Sequence, residues 1–169
     1  MIIRQELPRD GPNIVALHAA AFARGDAPAP EALLTEHLRE NGDVIDALSL
    51  VAASHGVMVG HVSCSRAYVD RRPTPGLAPL GVLPAHQHRG VGHALMHAVL
   101  AAADALDEPA VFLLGEPAYY QRFGFVTAAS VGVHPPNPAW SDHFQVRTLR
   151  AWDGTLSGTF RYAPAFDDL

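Results

Sequence analysis

A turn with two glycines ahead of a helical pattern is the segment best suited to chemistry. Gly90 and Gly92 flank Val91, after which apolar residues recur at helical spacing. Glycine keeps side chains out of such a turn, and the first N–H groups of a helix lack internal partners. The pattern predicts an anion site suited to a pyrophosphate, with Arg89 as a cation at its rim. Alone, the pair is also typical of close packing or a flexible turn, and the third glycine of a dinucleotide fingerprint is missing.

Histidines crowd the same region. His93 and His97 are four residues apart in the predicted helix, a spacing that suits two metal ligands. No third ligand is indicated and no Glu stands between them in the His-Glu-x-x-His pattern, so we interpret them as a solvated helix face and expect no metal. Cys64 has no adjacent His-Asn arrangement to activate a thiol, which favours a core role.

Composition excludes several classes of function. The chain has 169 residues, of which 49% are hydrophobic and 17% charged, as expected for one globular domain over residues 1–169. All twelve basic residues are arginine, which excludes Schiff-base lysines and the P-loop lysine. The net charge of −5 argues against nucleic-acid partners. Without a long apolar run, a signal-like start or a second cysteine, we expect a cytoplasmic protein with no membrane partner.

Mixed helical and strand patterns must position the glycine turn. Helical spacing predicts helices over 10–22, from Val91 onward and over 117–123. A further helix is introduced by Pro28 and Pro30 and stopped by Asn41-Gly42. Strand patterns are found at 2–5, 48–53, 57–69, 77–83, 110–114, 125–133 and 143–149, with a short strand in the tail. Residues 71–76 are predicted to form a loop, and Pro79 is a poor ladder member. The sum is a mixed α/β domain.

Several motifs carry a family resemblance. They are Gln87-x-x-Gly90-x-Gly92, the preceding Val82-Leu83-Pro84, the segment from Gly115 through Tyr119 and Tyr120 to Gly124-Phe125, and the tail from Gly158 to Phe166. Together and in this order they resemble the GNAT superfamily of N-acetyltransferases, and within it the YhbS-like branch. The resemblance covers nearly the whole chain. It implies an α/β fold with a mixed central sheet of six to seven strands, flanked by four helices and splayed at the motif strand.

The resemblance also implies a cofactor, acetyl-CoA, and the residues that hold it. Backbone N–H groups from His88 to His93 would bind the pyrophosphate, while Val82 and Leu83 would bond the pantetheine arm as an added strand does. A bulge at the strand end Val82-Leu83-Pro84 would expose the backbone to this arm. One N–H there would polarise the thioester carbonyl. The implied cofactor-binding residues are Val82, Leu83, Gln87, His88, Arg89, Gly90, Val91, Gly92, His93 and Tyr120.

Two residues near the cleft have implied catalytic roles. Tyr120 lies four residues before Gly124 and matches the family's general acid, which protonates the departing thiolate. The alternative is a packing tyrosine, the role that we expect for Tyr119. The motif strand has no carboxylate, unlike some members, so the base is left open. Glu116 is a candidate for base or amine ligand, although a carboxylate at a helix N-terminus is the alternative interpretation.

The implied reaction is acetyl transfer to a primary amine by direct attack in a ternary complex. A non-catalytic acyl-CoA-binding sensor is the alternative function, and a longer acyl donor is left open. The acceptor is a small-molecule or peptide amine of unknown identity. The resemblance allows a homodimer. Residues on the acceptor side of such a fold would include Phe22, Arg24, Asp26, Arg66 and Tyr68.

Overall fold

The fold is described for residues 1–168 by a computed structural model. Four α-helices form within these residues: α1 (Gly11–Ala21), α2 (Pro30–Glu40), α3 (Val91–Ala105) and α4 (Pro117–Tyr120). Nine strands form with them: β1 (Ile2–Gln5), β2 (Val44–Ser54), β3 (Val57–Val69), β4 (Arg72–Val82), β5 (Ala110–Leu114), β6 (Val126–Thr127), β7 (Val133–His134), β8 (Phe144–Thr148) and β9 (Gly158–Arg161). None of these helices has the length and apolar character that crossing a bilayer demands.

The central sheet is mixed and opens in its middle. Its main order is β1-β2-β3-β4-β5-β8-β6, and β9 joins the end of β3 and also pairs with β7. All neighbours on the main path are antiparallel except β4 and β5. These two parallel strands pair only at Gly76 and Phe112, so the rest of β4 runs on without β5. The predicted splay at the motif strand is confirmed.

The predicted loop over residues 71–76 is wrong, because β4 already begins at Arg72. A two-residue turn joins β3 to β4, and Val69 opposite Arg72 closes it. Hydrogen-bonded pairs alternate along an antiparallel ladder, so Pro73 and Pro75 fall at positions whose missing N–H would face away from β3. The prolines therefore remove no hydrogen bond from the ladder. Their number in this stretch suggests a loop, because the sequence does not show which way each missing N–H would face.

The predicted strand over residues 125–133 is also wrong. The short strands β6 and β7 lie at its ends, and a 3₁₀ helix at Ala128–Val131 separates them. The Ser130 hydroxyl donates to the Thr127 carbonyl at 2.7 Å, a local bond that competes with strand pairing. This interruption replaces one predicted strand with two strands of two residues each, so the eight strands predicted along the chain become nine.

Helices α1 and α3 cover opposite faces of β3 and β4. An added Cβ on Gly60 would lie 2.8 Å from Val91 of α3, whereas one on Gly81 would lie 2.6 Å from Nδ1 of His18 in α1. Gly60 is opposite Val82 in the ladder, so Val82 lies on the α3 face and Gly81 on the α1 face. The last residues of β4 thus contact a different helix on each face.

Candidate functional site

A cavity of about 630 Å³ lies where the free end of β4 meets the start of α3. It is lined by the end of β4, the glycine turn, the first turn of α3 and the segment that contains α4. The lining residues are Leu80, Val82, Gln87, His88, Gly90, Val91, Gly92, His93, Tyr119, Tyr120 and Arg122. The structure therefore brings most of the sequence-predicted cofactor residues to one place. Leu83 and Arg89 are not part of this lining.

The glycine turn presents the open N-terminus of α3. Gly90 adopts φ +82°, a left-handed conformation, and an added Cβ there would point into space empty of protein atoms within 4 Å. No side chain caps this helix, and its first internal bond runs from the Ala94 N–H to the Gly90 carbonyl. The N–H groups of Val91, Gly92 and His93 are thus left for a ligand. An anion is favoured there by the helix dipole.

Main-chain bonds distinguish Val82 from Leu83. The Leu83 N–H donates to the Val59 carbonyl at 3.0 Å, and the Leu83 carbonyl accepts from His86 at 2.8 Å. Since successive N–H groups of a strand point to opposite edges, the Val82 N–H faces the open edge of β4. The Val82 carbonyl accepts from the Gln87 side chain at 3.1 Å, which fixes the turn to the strand end. Val82 has a free main-chain donor at this edge, and Leu83 does not.

The bulge in β4 lies earlier than the resemblance implied. The register between β3 and β4 shifts between Val62 and Cys64, opposite Ala78 and Pro79, while pairing continues normally to Val82. A bulge at Val82-Leu83-Pro84 was therefore the wrong interpretation. The edge of β4 is exposed instead because β5 diverges after Gly76.

Two adjacent tyrosines line the cavity with different surroundings. Tyr119 has its hydroxyl oxygen 3.0 Å from the Cβ position of Gly92, and Arg122 lies over its ring at 5.0 Å. Tyr120 packs against Gly115 and, edge to face, against Phe125 at 5.9 Å.

Both phenols stay protonated at neutral pH. Burial, with a smaller contribution from Tyr119, raises the pKa of Tyr120 to about 12. Burial also raises the pKa of Tyr119. Each hydroxyl is therefore available as a hydrogen-bond donor.

Glu116 lies outside this lining. It is exposed and caps α4, where its carboxylate accepts the N–H of Ala118 at 3.3 Å. That position matches the alternative interpretation of a carboxylate at a helix N-terminus.

The remaining candidates are packing or ion-pairing residues in this structure. His93 and His97 meet edge to face at 4.6 Å and both contact the Phe123 ring. Within residues 1–168 no three potential ligand side chains gather as a metal site.

Burial raises the pKa of the Cys64 thiol. On the acceptor side, Arg66 pairs with Glu108 at 2.9 Å.

The other acceptor-side candidates lie at the helix ends and on β3. Phe22 stacks on the His18 ring at 5.8 Å, and Arg24 pairs with Glu31 at 2.9 Å. Tyr68 is 40% exposed.

A chain of hydrogen-bonded polar side chains beneath α1 was not predicted from the sequence. His18 Nε2 lies 2.8 Å from His61 Nδ1, and His61 Nε2 lies 3.0 Å from the Ser49 hydroxyl. Ser49 donates to Glu6, and Arg39 binds Glu6 through two nitrogens at 2.7 and 2.9 Å. The five residues come from four separate elements and the segment after β1, so no local spacing could have indicated them.

Ionisation fixes the proton positions along this chain. Burial would raise the pKa of Glu6, but the bonds from His61, Arg39 and Ser49 outweigh it and hold that pKa well below its usual value. Because Ser49 gives its proton to ionised Glu6, His61 must donate to Ser49 and His18 must donate to His61. Neutral His18 is left with a lone pair on Nδ1, which has no partner within residues 1–168.

Comparisons with known proteins agree with this geometry. The model of the Acetyltransferase (GNAT) family matches residues 13–125. The uncharacterized N-acetyltransferase YhbS of Escherichia coli strain K12 is 36% identical over 161 residues, which cover 94% of this chain and 92% of that protein.

Two solved structures extend the similarity to three dimensions. The crystal structure of Escherichia coli YhbS in complex with CoA has a TM-score of 0.90 at 32% identity, covering 98% of this chain and 91% of that one. A GNAT family acetyltransferase from Brucella melitensis, in complex with acetyl-CoA, has a TM-score of 0.81 at 29% identity and covers 98% and 97% of the two chains. The chain belongs to the GNAT family of acetyltransferases.

Proposed function

We propose that the chain transfers an acetyl group from acetyl-CoA to a primary amine by direct attack in a ternary complex. One observation carries the proposal. The open N-terminus of α3, Val82 at the free edge of β4, and the side chains of Tyr119 and Tyr120 line one cavity. The similar YhbS protein has been solved with CoA and the Brucella melitensis protein with acetyl-CoA, which supports the same ligand class here.

The cofactor would lie along the cavity from the helix to the strand. Backbone N–H groups of Val91, Gly92 and His93 would bind the pyrophosphate, with His88 and Gln87 at the turn. The pantetheine arm would extend along the open edge of β4 and bond to Val82. The Val82 N–H is also placed to polarise the thioester carbonyl. Leu83 has no free main-chain group for this role, because both of its groups are bonded within the chain.

The reaction forms a C–N bond and breaks a C–S bond. The neutral amine attacks the thioester carbon, the thiolate departs, and the amine loses a proton to water. Tyr120 would donate a hydrogen bond to the departing sulfur. A phenol with a pKa near 12 is a weaker acid than a thiol with a pKa of about 8.5, so full proton transfer is uphill and hydrogen bonding is its main contribution.

Glu116 has no chemical role in the proposed reaction. It caps α4 and is not among the residues that line the cavity, so its role is structural.

Steady-state thiol release tests the proposal once an amine panel has identified an acceptor. We expect Tyr120→Phe to lower kcat by about 10- to 100-fold, at or below the low end for general acids. Tyr119→Phe is the matched control: its hydroxyl faces Gly92, so we expect a change in cofactor affinity with kcat nearly intact. If kcat falls in Tyr119→Phe and not in Tyr120→Phe, the hydrogen bond to the departing sulfur comes from Tyr119, and the proposed role of Tyr120 is wrong.

The rival function is a non-catalytic acyl-CoA sensor. It would bind acetyl-CoA through the same turn but release no thiol with any amine of the panel, and it would be indifferent to Tyr120→Phe. Binding without turnover would therefore replace the proposed enzyme with the sensor.

A further inference from the structure

A second cavity of about 550 Å³ concentrates positive charge on a chain that is negative overall. It lies between α3 and the end of β8, and Arg122, Arg147, Arg150 and His97 line it. Asp104 is the only carboxylate among the lining residues. Three of the chain's twelve arginines thus meet at one cavity, although the net charge is −5. We call it the basic cavity.

Two of its arginines have no ion-pair partner among residues 1–168. Arg150 pairs with Asp107 at 2.6 Å, but no carboxylate of the described chain lies within salt-bridge distance of Arg122 or Arg147. The Asp104 carboxylate already accepts the Arg150 backbone N–H at 2.8 Å. The basic cavity therefore holds an excess of unpaired guanidinium charge.

Gly124 gives Arg147 its position. Gly124 adopts φ +79°, and an added Cβ there would lie 3.0 Å from Nη1 and 3.1 Å from Cζ of Arg147. Gly124 thus leaves the space that the Arg147 guanidinium occupies against the backbone. A planar group held in this way presents its remaining N–H donors in the fork that matches phosphate oxygens.

The basic cavity adjoins the cofactor cavity. Arg122 lines both, and the Phe123 ring of the basic cavity contacts the His93 ring of the cofactor cavity at 5.1 Å. From Gly92 to His97 the helix rises by about 7.5 Å. An anion in the basic cavity would thus lie within roughly the length of one nucleotide from a pyrophosphate at the helix N-terminus.

We propose that the basic cavity binds a phosphomonoester through Arg147 and Arg122. Two chemical sources fit this site: the 3′-phosphate of the coenzyme A bound next door, or a separate phosphorylated small molecule. The first source rests on the proposed function, and the second does not. A dianionic phosphate satisfies both unpaired guanidinium groups at once, which a carboxylate does less completely.

Calorimetry with coenzyme A and 3′-dephospho-coenzyme A distinguishes the sources. For the first source, the wild-type protein should bind coenzyme A about tenfold more tightly than the dephospho form, the value of one charge-assisted hydrogen bond. Arg147→Met should abolish this preference while its affinity for the dephospho form stays unchanged. Arg147→Lys should restore part of the preference.

The matched control is Arg71→Met, which removes the same charge at the turn between β3 and β4. This turn lies at the opposite end of β4 from the cofactor cavity. The preference should survive in this variant. A loss equal to that of Arg147→Met would mean that only overall charge matters, and it would overturn the assignment.

The second source has its own measurement. Protein saturated with acetyl-CoA is titrated with inorganic phosphate and with 3′-AMP as probes. Binding that Arg147→Met abolishes and Arg71→Met leaves intact would support a separate phosphorylated ligand. If neither the coenzyme preference nor probe binding depends on Arg147, the proposal is wrong. If coenzyme A fails to bind at all, the proposed function fails, and the same titration on the free protein still tests the basic cavity.

Discussion

Acidification should destabilise this protein through the buried histidine pair. His18 is fully buried, and burial, with smaller contributions from His61 and Arg39, lowers its pKa to about 2. Burial also lowers the pKa of His61, although Glu6 opposes the shift. Both rings are therefore neutral in the folded protein at pH values where the unfolded chain already protonates them.

The sign and size follow from proton linkage. Below the unfolded pKa of about 6.5, the unfolded chain binds a proton at His18 and the folded chain does not, so stability falls as the pH falls. Between pH 7 and pH 5, this one group removes about 2 kcal/mol from the free energy of unfolding. His61 adds in the same direction. Glu6 adds little here, because the stability provided by its lowered pKa is lost mainly as the pH falls below the unfolded carboxyl pKa of about 4.3.

Urea unfolding at pH 7 and pH 5 measures the effect. The wild-type free energy of unfolding should fall by at least about 2 kcal/mol between these values. His18→Gln keeps a polar side chain of similar size without the titrating ring, so its loss over the same interval should be smaller by about 2 kcal/mol. Equal losses in both proteins would refute the reasoning, whatever the variant's stability at pH 7.

Three further outcomes are expected. Gly90→Val should weaken acetyl-CoA binding by calorimetry while the fold survives, because φ +82° strains a branched residue whose side chain would enter the anion site; unchanged affinity would remove the turn from the site. Gly81→Ala should lower the thermal midpoint of unfolding, because the added Cβ would lie 2.6 Å from His18. The control is Gly11→Ala, whose Cβ meets nothing within 4 Å and should leave the thermal midpoint nearly unchanged. Activity should survive dialysis against a chelator, and zinc-dependent recovery after a loss would contradict the metal-free interpretation.

Local sequence patterns were sufficient to predict most of the helices and strands. The strand at Val57–Val69 and the strand at Ala110–Leu114 were predicted with their observed bounds. Alternating and apolar runs of that length leave little choice of element. One error arose where tertiary pairing overrides local preference, at Pro73 and Pro75 in β4, and the other where a local hydrogen bond of Ser130 interrupts a strand pattern.

Part of the candidate site could be predicted from the sequence for the same reason. Gly90 and Gly92 act through their own backbone, so their spacing predicts an anion site, with close packing or a flexible turn as the alternatives. The difference between Val82 and Leu83 depends on which strand edge is covered, and that is decided by β3 and β5 rather than by the two residues themselves. Sequence alone could not separate them.

The two faces of β4 explain why the motif indicates the cofactor and leaves the acceptor open. Val82 faces α3, whose start follows within ten residues, so strand end, turn and helix form one continuous pattern. Gly81 faces α1, and the space of its absent side chain is filled by His18, more than sixty residues earlier in the chain. Its ring bonds to His61 of β3, whose other ring nitrogen bonds to Ser49 of β2, and not to β4. The chemistry of the α1 face therefore depends on residues that are far apart in the sequence and that only the folded chain brings together.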